Sequence, residues 1–171
     1  MSEKTVIKPA IAEAFEKFME RERILFFSAP CGFGKTSVAR ALLNGRSSLY
    51  ISAAEPHSAI PEKRGAWDVL LIDDAQYIQE DDWQTLCSLI RSSSRKRFIL
   101  LSRGAPPACL MAFQYTGLMT VIGAEKLLFD REDIRRLFQN AGSEATDSEI
   151  SGILKESIGY PLGVAITARC M

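Results

Sequence analysis

The chain has no surplus of either charge: Lys plus Arg number 21 and Asp plus Glu number 21, a formal net charge of +0. A module that grips nucleic acid by itself usually carries a basic excess, so DNA binding by this stretch alone is not expected. Histidine is almost missing; His57 stands on a polar loop and reads as a surface residue rather than a ligand. Cys31, Cys87, Cys109 and Cys170 lie far apart and show no paired metal-ligand spacing, which leaves reduced thiols as the simple reading. No apolar run is long enough to cross a bilayer, and Met1 to Thr5 begins without the apolar core of a secretion signal. A cytoplasmic protein with no membrane partner is the resulting expectation.

What is present is an ordinary globular mixture, 47% hydrophobic and 25% charged over 171 residues. A chain of that size buries roughly 70% of its unfolded surface, enough for one α/β domain. Its most informative stretch is Ile24 to Ala41. The apolar run Ile24–Phe27 enters a small, Gly-containing turn, and an Ala-rich helical segment follows from Lys35, so the order is strand, loop, helix. Gly32 and Gly34 let the backbone curl until successive N–H groups converge, Lys35 adds a point charge, and Thr36 offers a hydroxyl at the helix start. Such a loop cradles the β- and γ-phosphates of a nucleotide, with the hydroxyl on Mg²⁺. The strict pattern has Gly where this chain has Ala29, which requires Ala29 to sit at negative φ. A dinucleotide fingerprint fails, because Ser37 occupies a position that needs Gly or Ala.

The second informative stretch is Trp67 to Asp74. Val69–Leu70–Leu71–Ile72 suits a strand buried on both faces of a parallel sheet, and Asp73 and Asp74 emerge at its C-terminal edge, where ligands bind. One such carboxylate can hold the Mg²⁺ shell while its neighbour orients or deprotonates an attacking water; the alternative is a pair that starts a loop or caps the next helix. Phe98 to Arg103 repeats the design, a buried strand with a polar tip. Arg103 either reaches a γ-phosphate or stands on the surface before the turn at Gly104 to Pro107. Cys31 is either a small loop residue or a thiol placed for alkylation beside Lys35.

The remaining pattern predicts an amphipathic helix over 11–23, a strand over 48–52, and loop over 53–65. It also predicts a helix capped by Asp81 or Asp82 through Arg91 with Trp83 buried, and a fifth strand within 117–122. From Phe129 the pattern is helical: Asp130 caps 131–140, Thr146 or Asp147 caps 148–157, and a turn over 158–162 leads into a helix over 163–170.

Together these motifs resemble the nucleotide-binding domain of the MalT-like, LuxR-type regulators among the STAND ATPases. The resemblance rests on the loop Ala29 to Thr36, the apolar-Asp-Asp run Val69 to Asp74, Leu101 to Pro107, and Gly159–Tyr160–Pro161. It implies a three-layer P-loop sandwich with a five-stranded parallel sheet in which the Ser102 strand separates the Asp73 strand from the loop strand. Residues 1–128 would form the ATPase core and 129–171 a lid-like helical segment whose Gly159–Tyr160–Pro161 turn approaches the base. The implied ligands are ATP or ADP with Mg²⁺. Nucleotide contacts fall on Pro30, Cys31, Gly32, Phe33, Gly34, Lys35, Thr36, Ser37, Arg103 and Pro161, the metal on Thr36 and Asp73, and catalysis on Asp74, Lys35 and Arg103. The resemblance implies slow hydrolysis used as a switch, self-association of the parent regulator, and DNA contact only through domains outside this chain. The segment between the second strand and Asp73 is shorter than in that family, and the last helix has no cap or exit. An isolated piece of a regulator or a reduced stand-alone relative is therefore expected. A small-molecule kinase and a nucleotide-gated interaction module without hydrolysis remain alternatives.

Overall fold

The computed structural model describes residues 5–55, 59–61 and 65–169; the expectations for His57 and Cys170 lie outside them. The strands are β1 (Ile24–Ser28), β2 (Ser48–Ser52), β3 (Val69–Asp73), β4 (Arg97–Ser102) and β5 (Met119–Gly123), in spatial order β2-β3-β4-β1-β5. All four pairings are parallel, with Ser28 opposite Ser102 and Ile72 opposite Leu100. The Ser102 strand thus stands between the loop strand and the Asp73 strand, as the resemblance implied.

The continuous apolar runs follow from burial on both faces. Successive side chains of a strand point to opposite sides. Leu25, Phe27, Leu71, Ile99 and Leu101 therefore pack under α1 (Pro9–Glu20) and α2 (Lys35–Leu42), against Ile11, Phe15, Phe18 and Val38. Ile24, Phe26, Leu70, Ile72, Phe98 and Leu100 face the other way, against Leu86 and Ile90 of α3 (Glu80–Ser92) and against Leu110 and Phe113. Phe113 belongs to α4 (Met111–Tyr115), and α5 (Ala124–Leu127) follows β5; neither short helix was expected from the pattern.

Three helices depart most from the sequence reading in their boundaries. α1 begins at Pro9, where a missing N–H and a preset φ suit a first turn, and it ends at Glu20 rather than Arg23. α3 begins at Glu80 after Gln79, with no side-chain cap; Asp81 and Asp82 lie inside its first turn, where they favour the positive end of the helix dipole. Trp83 is only half-buried. The last helix, α8 (Pro161–Arg169), starts at Pro161 instead of Gly163, again with proline in the first turn.

The C-terminal helices have their own apolar cluster of Ile134, Phe138, Ile150, Ile153 and Val164. Asp130 caps α6 (Arg131–Asn140) and Thr146 caps α7 (Asp147–Ser157), each in a reciprocal capping box, with Asp133 and Glu149 respectively. Lys8 ties this group to the sheet side: its Nζ donates to the Leu128 carbonyl at 2.6 Å and lies 3.1 Å from buried Asp133.

Candidate functional site

The C-terminal ends of β1, β3 and β4 converge on one cleft, of about 300 Å³. Its wall is built from loop residues Cys31, Gly32, Gly34, Lys35, Thr36 and Ser37 together with Asp73, Asp74 and Arg103. Ala29 is buried and lies outside the left-handed region, because among the described residues only Asp74 and Ile158 carry a positive φ without being glycine. The departure from the strict loop pattern is therefore tolerated by the backbone. Gly32 and Gly34 do occupy that region, at φ +81° and +74°. Gly34 also takes the N-cap position of α2, which leaves the first amides of the helix free of a side-chain cap.

Lys35 turns back on its own loop, with Nζ donating to the Ala29 carbonyl at 2.6 Å and to the Pro30 carbonyl at 2.9 Å. Burial pushes its ammonium pKa below the ordinary lysine value; Asp73 pulls the other way and Arg103 adds to the lowering. A cation that is partly desolvated and hydrogen-bonded to two neutral carbonyls is disposed to exchange them for an anion.

Asp73 is pinned from three directions. Thr36 Oγ1 donates to Oδ2 at 2.8 Å, the Tyr50 hydroxyl donates to the same oxygen at 3.3 Å, and the Asp74 N–H donates to Oδ1 at 2.9 Å. Tyr50 had no signal of its own in the sequence; it is on the edge strand β2, with the Arg40 guanidinium 4.4 Å from its ring centre. Burial first and the neighbouring Asp73 second raise its phenol pKa. The paired hydroxyl and carboxylate offer hard oxygen donors suited to a small, hard divalent cation, so Thr36 and Asp73 fit Mg²⁺. Among the described residues no three His, Cys, Asp or Glu side chains gather as a metal cluster, so no all-protein cage forms there.

Asp74 is backed by a second arrangement. Its backbone is left-handed, at φ 53° and ψ 39°, which turns the chain sharply as it leaves the sheet. Gln76 Nε2 donates to Asp74 Oδ1 at 2.8 Å, and the Arg103 guanidinium lies 3.7 Å from that oxygen. Gln76 Oε1 accepts the Arg103 N–H at 3.1 Å, so one amide side chain links β3 to the tip of β4. Nothing in the sequence singled out Gln76. Arg103 and Asp74 also line a more open cleft of about 530 Å³, shared with Ala53, Ala54, Glu55, Tyr77 and Gln79.

Of the other residues in the sequence-derived set, Pro30 is exposed and contributes its carbonyl to Lys35. Phe33 packs on Tyr160 with ring centroids 5.3 Å apart, and Pro161 is buried at the start of α8. Cys31 is exposed, and its carbonyl accepts from the Tyr160 hydroxyl at 3.0 Å. No helix among the described residues is long and apolar enough to cross a membrane.

No protein-family model and no curated protein sequence matches the chain. Solved structures do. A Walker-type ATPase of Pyrococcus abyssi superposes with a TM-score of 0.65 at 15% identity, covering 97% of this chain and 67% of that one. A RuvB variant of Thermotoga maritima gives 0.66 at 16% identity, over 96% and 61%. A STAND protein with a tetratricopeptide repeat sensor, from Pyrococcus horikoshii, gives 0.64 at 12% identity, over 95% of this chain and 29% of that one. At such identities the likeness speaks to architecture, and it agrees with the parallel sheet and the loop between β1 and α2: the chain has the fold of the P-loop ATPases.

Proposed function

We propose that this chain is the Mg-ATP-binding switch module of a MalT-like, LuxR-type STAND regulator, which hydrolyses its nucleotide slowly. The observation that carries the reading is the single cleft in which the glycine loop, the Thr36–Asp73 pair and the Asp74–Arg103 pair meet. Amides of the loop bind the β- and γ-phosphates, and Lys35 exchanges the Ala29 and Pro30 carbonyls for phosphate oxygens. Thr36 and Asp73 hold Mg²⁺, which supplies charge neutralisation at the phosphates. Asp74 orients a water and accepts its proton; Gln76 keeps the carboxylate aimed.

Arg103 provides the switch. In this structure it faces Asp74 and is exposed, so its guanidinium is free to exchange that partner for a terminal phosphate, the group by which ATP and ADP differ. Arg103→Ala is expected to lower ATP affinity by about ten- to a hundredfold, the equivalent of about 1.5–3 kcal/mol for a charged hydrogen bond, with little change for ADP. Calorimetric titration of both nucleotides checks this, and equal losses would remove the switch from Arg103. The regulator assignment is supported by the order of the motifs and by the likeness to a STAND structure. DNA control, self-association of the parent and a cytoplasmic setting belong to the same reading.

A small-molecule kinase is favoured by one observation, an open cleft that shares Asp74 and Arg103 with the phosphate cleft and has room for an acceptor. Phosphate release measured with and without hydroxylated acceptors separates the readings: acceptor-dependent ADP formation marks a kinase, slow acceptor-independent release a switch ATPase, and no turnover an interaction module.

A further inference from the structure

The start of α8 grips the outside of the phosphate loop. The Tyr160 hydroxyl donates to the Cys31 carbonyl at 3.0 Å, and the Leu162 N–H donates to the Gly32 carbonyl at 3.1 Å. Neither residue lines the phosphate cleft. The Tyr160 ring lies on Phe33, and a Cβ placed on Gly32 would come within 1.9 Å of the Tyr160 oxygen. Glycine at position 32 therefore serves the approach of this tyrosine as well as the positive φ.

Peptide geometry turns these contacts into a statement about the site. In a trans peptide the C=O of one residue and the N–H of the next point in opposite directions. Holding the Cys31 carbonyl outward directs the Gly32 N–H the other way, and holding the Gly32 carbonyl outward does the same for the Phe33 N–H. Both carbonyls are anchored on one element, so two consecutive peptide planes are set together. Such planes form the anion-binding concavity of a loop of this kind.

We infer that Tyr160, with the Leu162 amide, is a positioning clamp that preorganises the phosphate-binding amides of Gly32 and Phe33, so that polyphosphate binding and docking of α8 reinforce each other. The inference rests on the nucleotide-site reading above and adds a role for the helical segment that acts through the phosphates and not through the base. Linkage then requires reciprocity: whatever stabilises the loop amides stabilises the docked α8, and the reverse.

Binding of ATP and of inorganic tripolyphosphate, both with Mg²⁺, to the unaltered chain and to Tyr160→Phe tests it. The variant keeps the ring on Phe33 and loses only the hydroxyl. Affinity for both ligands should fall by the same factor, about three- to tenfold for one neutral hydrogen bond. Ile166→Ala, on the same helix and exposed, should bind both as the parent does. Hydrogen exchange supplies a readout that needs no variant: saturating tripolyphosphate should slow exchange at the Leu162 amide of the unaltered protein. A loss confined to ATP would assign Tyr160 to the base and overturn the clamp, as would unchanged affinities or unchanged exchange at Leu162. If the unaltered chain bound neither ligand, the nucleotide reading would fall and the clamp with it.

Discussion

Gly32→Ala separates two demands that the fold places on one residue. At φ +81° an alanine meets the left-handed penalty of about 1–2 kcal/mol, from which about 0.4–1 kcal/mol is recovered because alanine restricts the unfolded chain. The new methyl would also stand 1.9 Å from the Tyr160 oxygen and 2.7 Å from its ring carbon Cζ, so the ring must leave. Its departure sacrifices the bond to the Cys31 carbonyl, worth about 0.5–1.5 kcal/mol, and the contact with Phe33, about 0.5–1.5 kcal/mol. The full cost is then about 2–4 kcal/mol. In a Tyr160→Ala background only the backbone part remains, about 1 kcal/mol, so a double-mutant cycle by urea unfolding should return a coupling of about 1–3 kcal/mol. Gly34 supplies the internal control. It has nearly the same φ, +74°, but nothing within 4 Å of an added Cβ. Gly34→Ala should cost only the backbone part, whatever occupies position 160. If Gly32→Ala were equally costly in both backgrounds, Tyr160 would not press on the loop and the tight approach would carry no energy.

Lys35→Ala should leave the fold intact, since among the described residues the half-buried side chain bonds to its own loop, and should reduce ATP affinity about ten- to a hundredfold in a calorimetric titration; unchanged affinity would reject the phosphate-loop assignment. Asp73→Asn should weaken Mg²⁺-dependent binding, whereas Asp74→Asn, which tolerates the left-handed backbone, should bind normally and release phosphate more slowly; parental turnover in both would remove the catalytic roles. Asp130→Ala should cost about 1 kcal/mol at pH 7 through the lost N-cap of α6. The N–H of Asp133 first, opposed by burial and assisted by Lys8 and the N–H of Glu132, holds the Asp130 carboxyl below its ordinary value of 3.8. A folded pKa below the unfolded one gives stability that is complete above pH 3.8 and lost as pH falls through the lowered value, so the gap between parent and variant should close in acid unfolding scans.

Much of this architecture is local in origin, and local features are legible in sequence. The runs Ile24–Phe27, Val69–Ile72 and Phe98–Leu101 are uninterrupted because both faces of their strands are covered, and that is a property of each strand separately. The turn through Gly32 and Gly34 and the caps at Asp130 and Thr146 follow from backbone preferences over a few residues. Strand order did not come from the residue pattern; the resemblance to a known family implied that the Ser102 strand lies between the Asp73 strand and the loop strand, and the sheet has that arrangement. The partners within the site depended on packing. Thr36 meets Asp73 because β3 and the loop end at the same edge, and Tyr50 joins them only because β2 pairs with β3 in that register. Gln76 becomes a link between Asp74 and Arg103 through the left-handed turn at Asp74, which no composition or period announces. The α3 start and the α8 start were misplaced by two to three residues because any of several neighbouring residues can open a helix, and tertiary contacts choose among them. Tyr160 reaches Cys31 across 129 residues of chain, a meeting decided by where the helical cluster docks, since the strength of a contact says nothing about its address until the backbone has been folded around it.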